Sequence, residues 1–223
     1  MHKLQIHGVK IIILLLLLLP VTFRSTAGSG KTEKHAIPVN ISSLYDELQL
    51  ASCGLKCEVF QSALAGYQEL LKNNKLPKTS ILSIADLSQS SNNKRLYIIN
   101  LESKKLVMNT YVAHGRNSGE EFATAFSNKA ESYQSSLGFY ITGETYKGKH
   151  GLSLALKGQE QGINDNAESR AIVIHGASYV SEDFIKKYGR LGRSQGCPAV
   201  SEELSEPLIN MIKEGSCFFM YHP

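Results

Sequence analysis

The sequence predicts a mainly β domain of α+β class, with helices at its N-terminal side and periphery. Three observations carry this. Beyond Pro77, short apolar runs of strand length recur between turns rich in Gly, Asn and Ser. Helical spacing is confined to the stretch before Pro77 and two short late segments. The chain has 223 residues, 42% hydrophobic and 20% charged, which is ordinary globular composition and enough for one sizeable core.

The first 27 residues read as an export signal. Lys3 and Lys10 precede an apolar run, Ile11 to Leu19, which Pro20 breaks, and Ser25-Thr26-Ala27 supplies small residues. A basic start, a short apolar stretch and a small-x-small end predict cleavage after Ala27. The run is nine residues long, whereas a spanning helix needs about 20, so an uncleaved anchor fits less well and no membrane insertion is expected after cleavage. Lys3, Lys10 and Arg24 account for three of the four net positive charges, leaving +1 for the remainder. That balance gives no electrostatic case for nucleic acid.

Residues 28–40 are rich in Gly, Ser and Lys and read as a flexible leader, with the folded domain spanning 41–223. Gly28-Ser29-Gly30-Lys31-Thr32 has the look of a phosphate loop, but Ser25 stands where that motif needs its first glycine and no strand precedes it.

Ser43 caps a short predicted helix with Leu44, Tyr45, Leu48 and Ala51, and Gly54 interrupts it. Val59, Phe60, Ala63, Leu64, Tyr67, Leu70 and Leu71 then recur at helical spacing, with Cys57 at the start and Asn73-Asn74 at the end. Strands are predicted over 81–87, 96–101, 106–112, 138–142, 152–156, 171–174 and 217–221, the second and third as a hairpin. Ser181 caps a predicted helix over 182–187, and another spans about 203–214, stopping at Gly215.

Four cysteines follow the signal: Cys53, Cys57, Cys197 and Cys217. In an oxidising compartment two pairs among four allow three connectivities, and the sequence does not choose between them. Cys53 and Cys57 are four apart, cramped for a disulfide and suited to packing.

The stretch from Ile172 to Val200 carries the chemistry. His175-Gly176 ends an apolar strand, and 22 residues on from His175 comes Cys197 in a Ser194-Gln195-Gly196-Cys197-Pro198 turn. A cysteine attacks as thiolate and needs a lowered pKa or an adjacent base, for which His175 is the candidate. Gly196 lets the backbone approach a substrate carbonyl. The amides of Gly196 and Cys197 are then candidates to face the developing oxyanion. Ser194 is expected to hold the imidazole, by its hydroxyl or its carbonyl. The same cysteine also suits an inert buried thiol, or half of a disulfide with Cys217. His114-Gly115 is a second strand-end pair, either lining the same cleft or simply polar at a strand terminus. No His, Asp, Glu and Cys set has metal-ligand spacing, so no metal is expected.

With these residues in place the chain resembles the L,D-transpeptidase (YkuD-type) family. His175 matches that family's first histidine, and Ser194, Gly196 and Cys197 its Ser/Thr-His-Gly-Cys block. Ser135 to Ile141 looks like its Thr-Pro-x-Gly-x-Phe-x-Ile strand. SIADLSQSSNNKRLYIINL, AHGRNSGEEFATAFSN, AIVIHGASYVS and GRSQGCPAV look more closely like a divergent branch, the murein L,D-transpeptidase catalytic domain proteins. The resemblance covers about 45–222. Gln195 replaces the motif's second histidine, Ala199 stands where Arg or Asn is usual, and the spacer between His175 and Ser194 has 18 residues.

The resemblance implies a β-sandwich core and a monomer exported to the periplasm or cell envelope. It implies acyl transfer on the peptide stems of peptidoglycan without a cofactor. Cys197 would be nucleophile, His175 and Ser194 its catalytic partners, and Arg193, Gly176 and His114 the lining of the substrate cleft. Arg190 or Arg193 is the candidate for the missing cation. The loss of the second histidine keeps one rival reading in view, a catalytically silent wall-binding protein on the same scaffold.

Overall fold

The computed structural model describes residues 41–149 and 151–223. The signal, the leader and His150 lie outside the described residues. Helix α1 spans Ile41–Glu47, a 3-10 turn follows at Leu50–Cys53, and α2 runs Cys57–Lys72. The strands are β1 Ile81–Asp86, β2 Leu96–Asn100, β3 Lys105–Thr110, β4 Gly138–Gly148, β5 Gly151–Gly158, β6 Val173–Gly176, β7 Ala199–Val200 and β8 Cys217–Tyr221. Helix α3, Glu182–Tyr188, lies between β6 and β7, and α4, Glu202–Ile212, between β7 and β8. The described fold is thus mainly β with helices, as the sequence predicts.

All eight strands form one mixed sheet in the order β3-β2-β1-β8-β4-β5-β6-β7. β8 sits at its centre, parallel to β1 and antiparallel to β4. The central strands are buried on both faces, which is why they read as nearly continuous apolar runs. Alternation sorts their side chains. Leu96 and Ile98 of β2 and Phe218 and Met220 of β8 join one cluster with Tyr140, Leu154, Leu156 and Ile174. Tyr97 and Ile99, with Cys217 and Phe219, join the other.

Two helix layers cover the faces. Val59, Phe60, Ala63, Leu64, Tyr67 and Leu70 form the buried stripe of α2 and complete the second cluster. Leu208, Ile209 and Ile212 of α4 fill the first. The two edges of the sheet meet at one end. Ala113, just past β3, exchanges hydrogen bonds with Ala199 of β7, at 2.8 Å and 3.3 Å. The expected sandwich is therefore one continuous sheet, curled so that its two halves share the cluster around α4.

Ser43, expected as a cap, lies inside α1, which begins at Ile41, whereas Ser181 caps as expected. The Ser181 hydroxyl accepts from the Phe184 amide and Ser201 from Leu204, each with two acids in the first turn. Strand β4 is longer than predicted, carried past Thr142 by an irregularity in its pairing with β5.

Candidate active site

Strands β6 and β7 bring the motif together. They pair in parallel, with His175 level with Ala199. Cys197 stands two residues before Ala199, where the nearby Val173 amide of β6 favours its thiolate form. The thiol in turn faces the carbonyl of Ala171 at 3.7 Å. Ala171 has φ +52°, a left-handed conformation unusual for a residue with a side chain. It breaks the strand expected from 171, so β6 begins at Val173.

His175 is 5% exposed. Its Nδ1 lies 2.9 Å from the Gly176 carbonyl. A carbonyl can only accept, so Nδ1 carries the proton and Nε2 is the basic nitrogen. Gly176 is the residue that allows this. A Cβ there would come within 2.8 Å of Ser205 Oγ and 3.2 Å of Glu202 Cα on α4. Its role in the fold is close packing against α4 as well as the carbonyl that orients the imidazole.

Ser194 braces the cysteine turn. Its hydroxyl donates to the Cys197 carbonyl at 2.6 Å and accepts the Gly196 amide at 3.0 Å. Its own amide donates to His114 and its carbonyl accepts from Arg116. The expected hold on the imidazole is thus supplied at Nδ1 by Gly176, while Ser194 shapes the loop. The Gly196 amide is committed to Ser194, while the Cys197 amide is among the groups that favour the thiolate of its own side chain. Gly196 has φ +124° and its carbonyl accepts the Ser135 hydroxyl at 3.0 Å. A Cβ at Gly196 would meet the Gln134 carbonyl at 2.8 Å, so only glycine fits this turn.

Burial pushes the Cys197 thiol above its ordinary value, opposed by the Val173 amide and by the Arg170 guanidinium. At neutral pH the sulfur is therefore protonated, and attack requires a base. Tyr179, on the segment after β6, is pushed up to about 12, chiefly by burial and then by the charge of a Cys197 thiolate. Arg170 and Tyr179 are the site neighbours that the sequence reading missed. Neither lies in a motif, and both reach the cysteine only through the folded sheet.

His114 is 1% exposed and fully engaged. Arg95, itself buried, donates to its Nδ1 at 2.8 Å. Its Nε2 then carries the proton and points to the Gly119 carbonyl at 3.3 Å. Burial first, and the Arg95 charge second, lower its pKa to about 4. It is a neutral structural histidine holding the 115–119 loop, on the strand-terminus side of the two readings left open. Arg193 is likewise committed. Its Nη1 bonds Glu120 at 2.6 Å and the carbonyls of Arg116 and Gly119. Arg190 pairs with the same carboxylate at 2.9 Å.

All four cysteines are unpaired thiols. Cys217 belongs to the cluster under α2, and Cys197 packs against the cluster around α4, on the opposite face of the sheet. A disulfide between them is excluded in this fold. Among the described residues no group of three or more His, Cys, Asp or Glu is placed to hold a metal. Nor is any described helix long and apolar enough to cross a membrane.

Residues 51–221 match the family described as the L,D-transpeptidase catalytic domain. That span takes in His175, Ser194, Gly196 and Cys197. The chain belongs to this family. Solved structures with partial likeness include an L,D-transpeptidase from Mycobacterium smegmatis, at 10% identity and TM-score 0.39. That overlap covers 64% of this chain and 59% of the other, so this chain spans about three fifths of its length. An L,D-transpeptidase from Mycobacterium tuberculosis H37Rv gives 15% identity, TM-score 0.38 and coverage of 64% and 58%. The helical cell shape determining protein Pgp2 from Campylobacter jejuni gives 15% identity, TM-score 0.42 and coverage of 70% and 53%. No curated protein matches the chain.

Proposed function

We propose that this protein is an exported L,D-transpeptidase that acts through a Cys197 thioester on the tetrapeptide stems of peptidoglycan. The observation that carries the reading is the family match over 51–221, which spans a cysteine turn and a strand-end histidine set side by side by β6 and β7.

The reading implies a two-step acyl transfer. Nε2 of His175 takes the thiol proton, and the sulfur attacks the carbonyl of the third stem residue, a diamino acid. The Cys197 amide faces the developing oxyanion. The amide bond to the terminal D-Ala breaks, and the imidazolium returns its proton to the departing amine. An amine acceptor then attacks the thioester, its proton passing to His175; the C–S bond breaks, the imidazolium returns the proton to the departing Cys197 sulfur, and a 3–3 cross-link is formed. Water in place of the amine gives a carboxypeptidase. The Ser194 hydroxyl keeps the turn closed, and no cofactor takes part.

One observation favours a second reading, a silent wall-binding protein. The thiol is raised by burial and is engaged with the Ala171 carbonyl. Intact mass spectrometry of residues 28–223 mixed with purified disaccharide-tetrapeptide decides between them. A thioester adduct with release of D-Ala, absent from Cys197→Ala, is expected. Folded, reduced protein that binds the muropeptide without adduct or D-Ala would establish the silent form.

A further inference from the structure

Arg170 ends the turn before β6 and is unused by the mechanism above. Its Nη1 donates to the Ser127 carbonyl at 2.7 Å and to the Ser136 hydroxyl at 2.5 Å. Its Nη2 donates to the Ser132 hydroxyl at 3.2 Å and the Gln134 carbonyl at 2.7 Å. All four acceptors belong to one stretch of chain, 127–136. A planar guanidinium with a fixed fork of donors is suited to this; a lysine offers a point charge on a flexible stem instead.

The clamped stretch lies directly on the nucleophile's turn. The Ser135 hydroxyl donates to the Gly196 carbonyl and accepts the Gly115 amide. Seen from the position a Cβ would take on Gly196, the Gln134 carbonyl is 2.8 Å away and Arg170 Nη2 3.4 Å away. Ala171, the next residue, presents the carbonyl that meets the thiol. Asn128 buttons the far end of the stretch to Asp165 and Asn166. The 127–136 stretch, the 165–171 turn and the cysteine turn are thus one bonded unit, with a half-buried cation at its middle.

We propose that Arg170 is a positioning residue of the cysteine site, whose fork holds 127–136 down on the Cys197 turn while its fixed charge favours the thiolate over the thiol. The charged and titratable groups to weigh at Cys197 are Arg170 from the turn before β6, Tyr179 from the segment after it and, on β6 itself, His175, which lies level with Ala199 two residues past the cysteine. Tyr179 is neutral across the working range, and His175 must be neutral to act as base. Arg170 is the permanent positive charge among the three. In surroundings drier than water a charge at this range is felt more strongly than at the surface. It offsets part of the cost of baring a sulfur that burial disfavours as an anion.

The proposal rests on Cys197 being the nucleophile, and not on which carbonyl it attacks. Its test therefore uses no muropeptide. The pH dependence of Cys197 alkylation by iodoacetamide is read by peptide-level mass spectrometry, with Cys53 and Cys57 as internal controls. Hydrogen exchange over 127–136 is measured on the same samples. Arg170→Met removes charge and fork; Arg170→Lys keeps the charge and removes the fork.

For Arg170→Met the alkylation midpoint should rise by about one pH unit and the rate at pH 7 fall about tenfold, as for loss of a close opposite charge. Cys53 and Cys57 should be unmoved, and exchange over 127–136 should increase. For Arg170→Lys exchange should increase while the midpoint stays within about 0.3 unit of wild type, because the charge remains. An unchanged midpoint in folded Arg170→Met overturns the proposal, whatever the exchange shows. Should that variant not fold, Arg170→Lys decides: a midpoint raised by about a full unit, or exchange over 127–136 left as in wild type, overturns it. Failure of wild-type protein to release D-Ala, with these shifts intact, would sink the transpeptidase reading alone.

Discussion

The Ser194 hydroxyl donates to the carbonyl of Cys197 at 2.6 Å, closing a tight ring around the Cys197 backbone. The same oxygen accepts the Gly196 amide. One side chain thus fixes the peptide units on either side of the Gly196-Cys197 pair, and with them the direction of the sulfur. Ser194→Ala should cost about 1–2 kcal/mol in urea unfolding, the penalty for leaving two polar groups without their partner. It should also slow alkylation and turnover at Cys197, while Ser194→Thr, which keeps the hydroxyl, should restore both. Equal stability of Ser194→Ala and wild type would remove the brace.

His175→Ala should lower turnover about 10²–10⁴-fold, the range expected for loss of a general base. Cys197 should remain alkylatable at high pH, since the thiol itself is untouched. D-Ala release at the wild-type rate would exclude His175 from the mechanism.

His114 makes the fold sensitive to acid. Its folded pKa is lowered to about 4, against 6.5 for the free side chain. Between those values the unfolded chain binds the proton that the fold refuses, so stability is complete above about 6.5 and falls as pH drops toward 4. The loss across that window is about 3 kcal/mol at most. Urea unfolding at pH 7 and pH 4.5 should show it. His114→Gln, whose carbonyl can still accept from Arg95, should flatten the slope across this window. A slope unchanged in the variant would assign the acid sensitivity elsewhere.

Cys217→Ser should leave activity per folded molecule near wild type, because Cys217 lies on the α2 face of the sheet. It should lower stability by about 1–3 kcal/mol, through a hydroxyl placed in an apolar cluster. Inactivity in a folded Cys217→Ser protein would contradict the assignment of the two thiols to opposite faces.

Much of this architecture is legible in the sequence because short-range signals coincide with burial. The α2 stripe, the β2–β3 hairpin, the Ser181 cap and β8 all appear where spacing and turn residues put them. The start of β6 does not, because Ala171 takes a left-handed conformation that no turn residue announces. Arg170 is hidden for a different reason. Its partners are carbonyls and hydroxyls at 127, 132, 134 and 136, some 40 residues away, and serines in a loop give no spacing to read. Arg95 is the same case: a charge that the sequence would place at the surface is buried against the Val112 carbonyl and His114.

The position of β8 has a consequence for how the molecule comes to exist. Without residues 217–221, the strands are two separate sheets, β3-β2-β1 and β4-β5-β6-β7, each with an unsatisfied edge where β8 belongs. A partly made chain therefore carries two open templates for strand addition where β8 belongs. The keystone comes after every other strand in chain order and bridges partners over 130 and over 70 residues away in sequence, Leu82 with Cys217 and Gly138 with Met220. Assembly of this kind is slow and all-or-none. A chain held short of Cys217 lacks the one strand that joins β1 to β4, and its sheet closes only when that last strand enters between them.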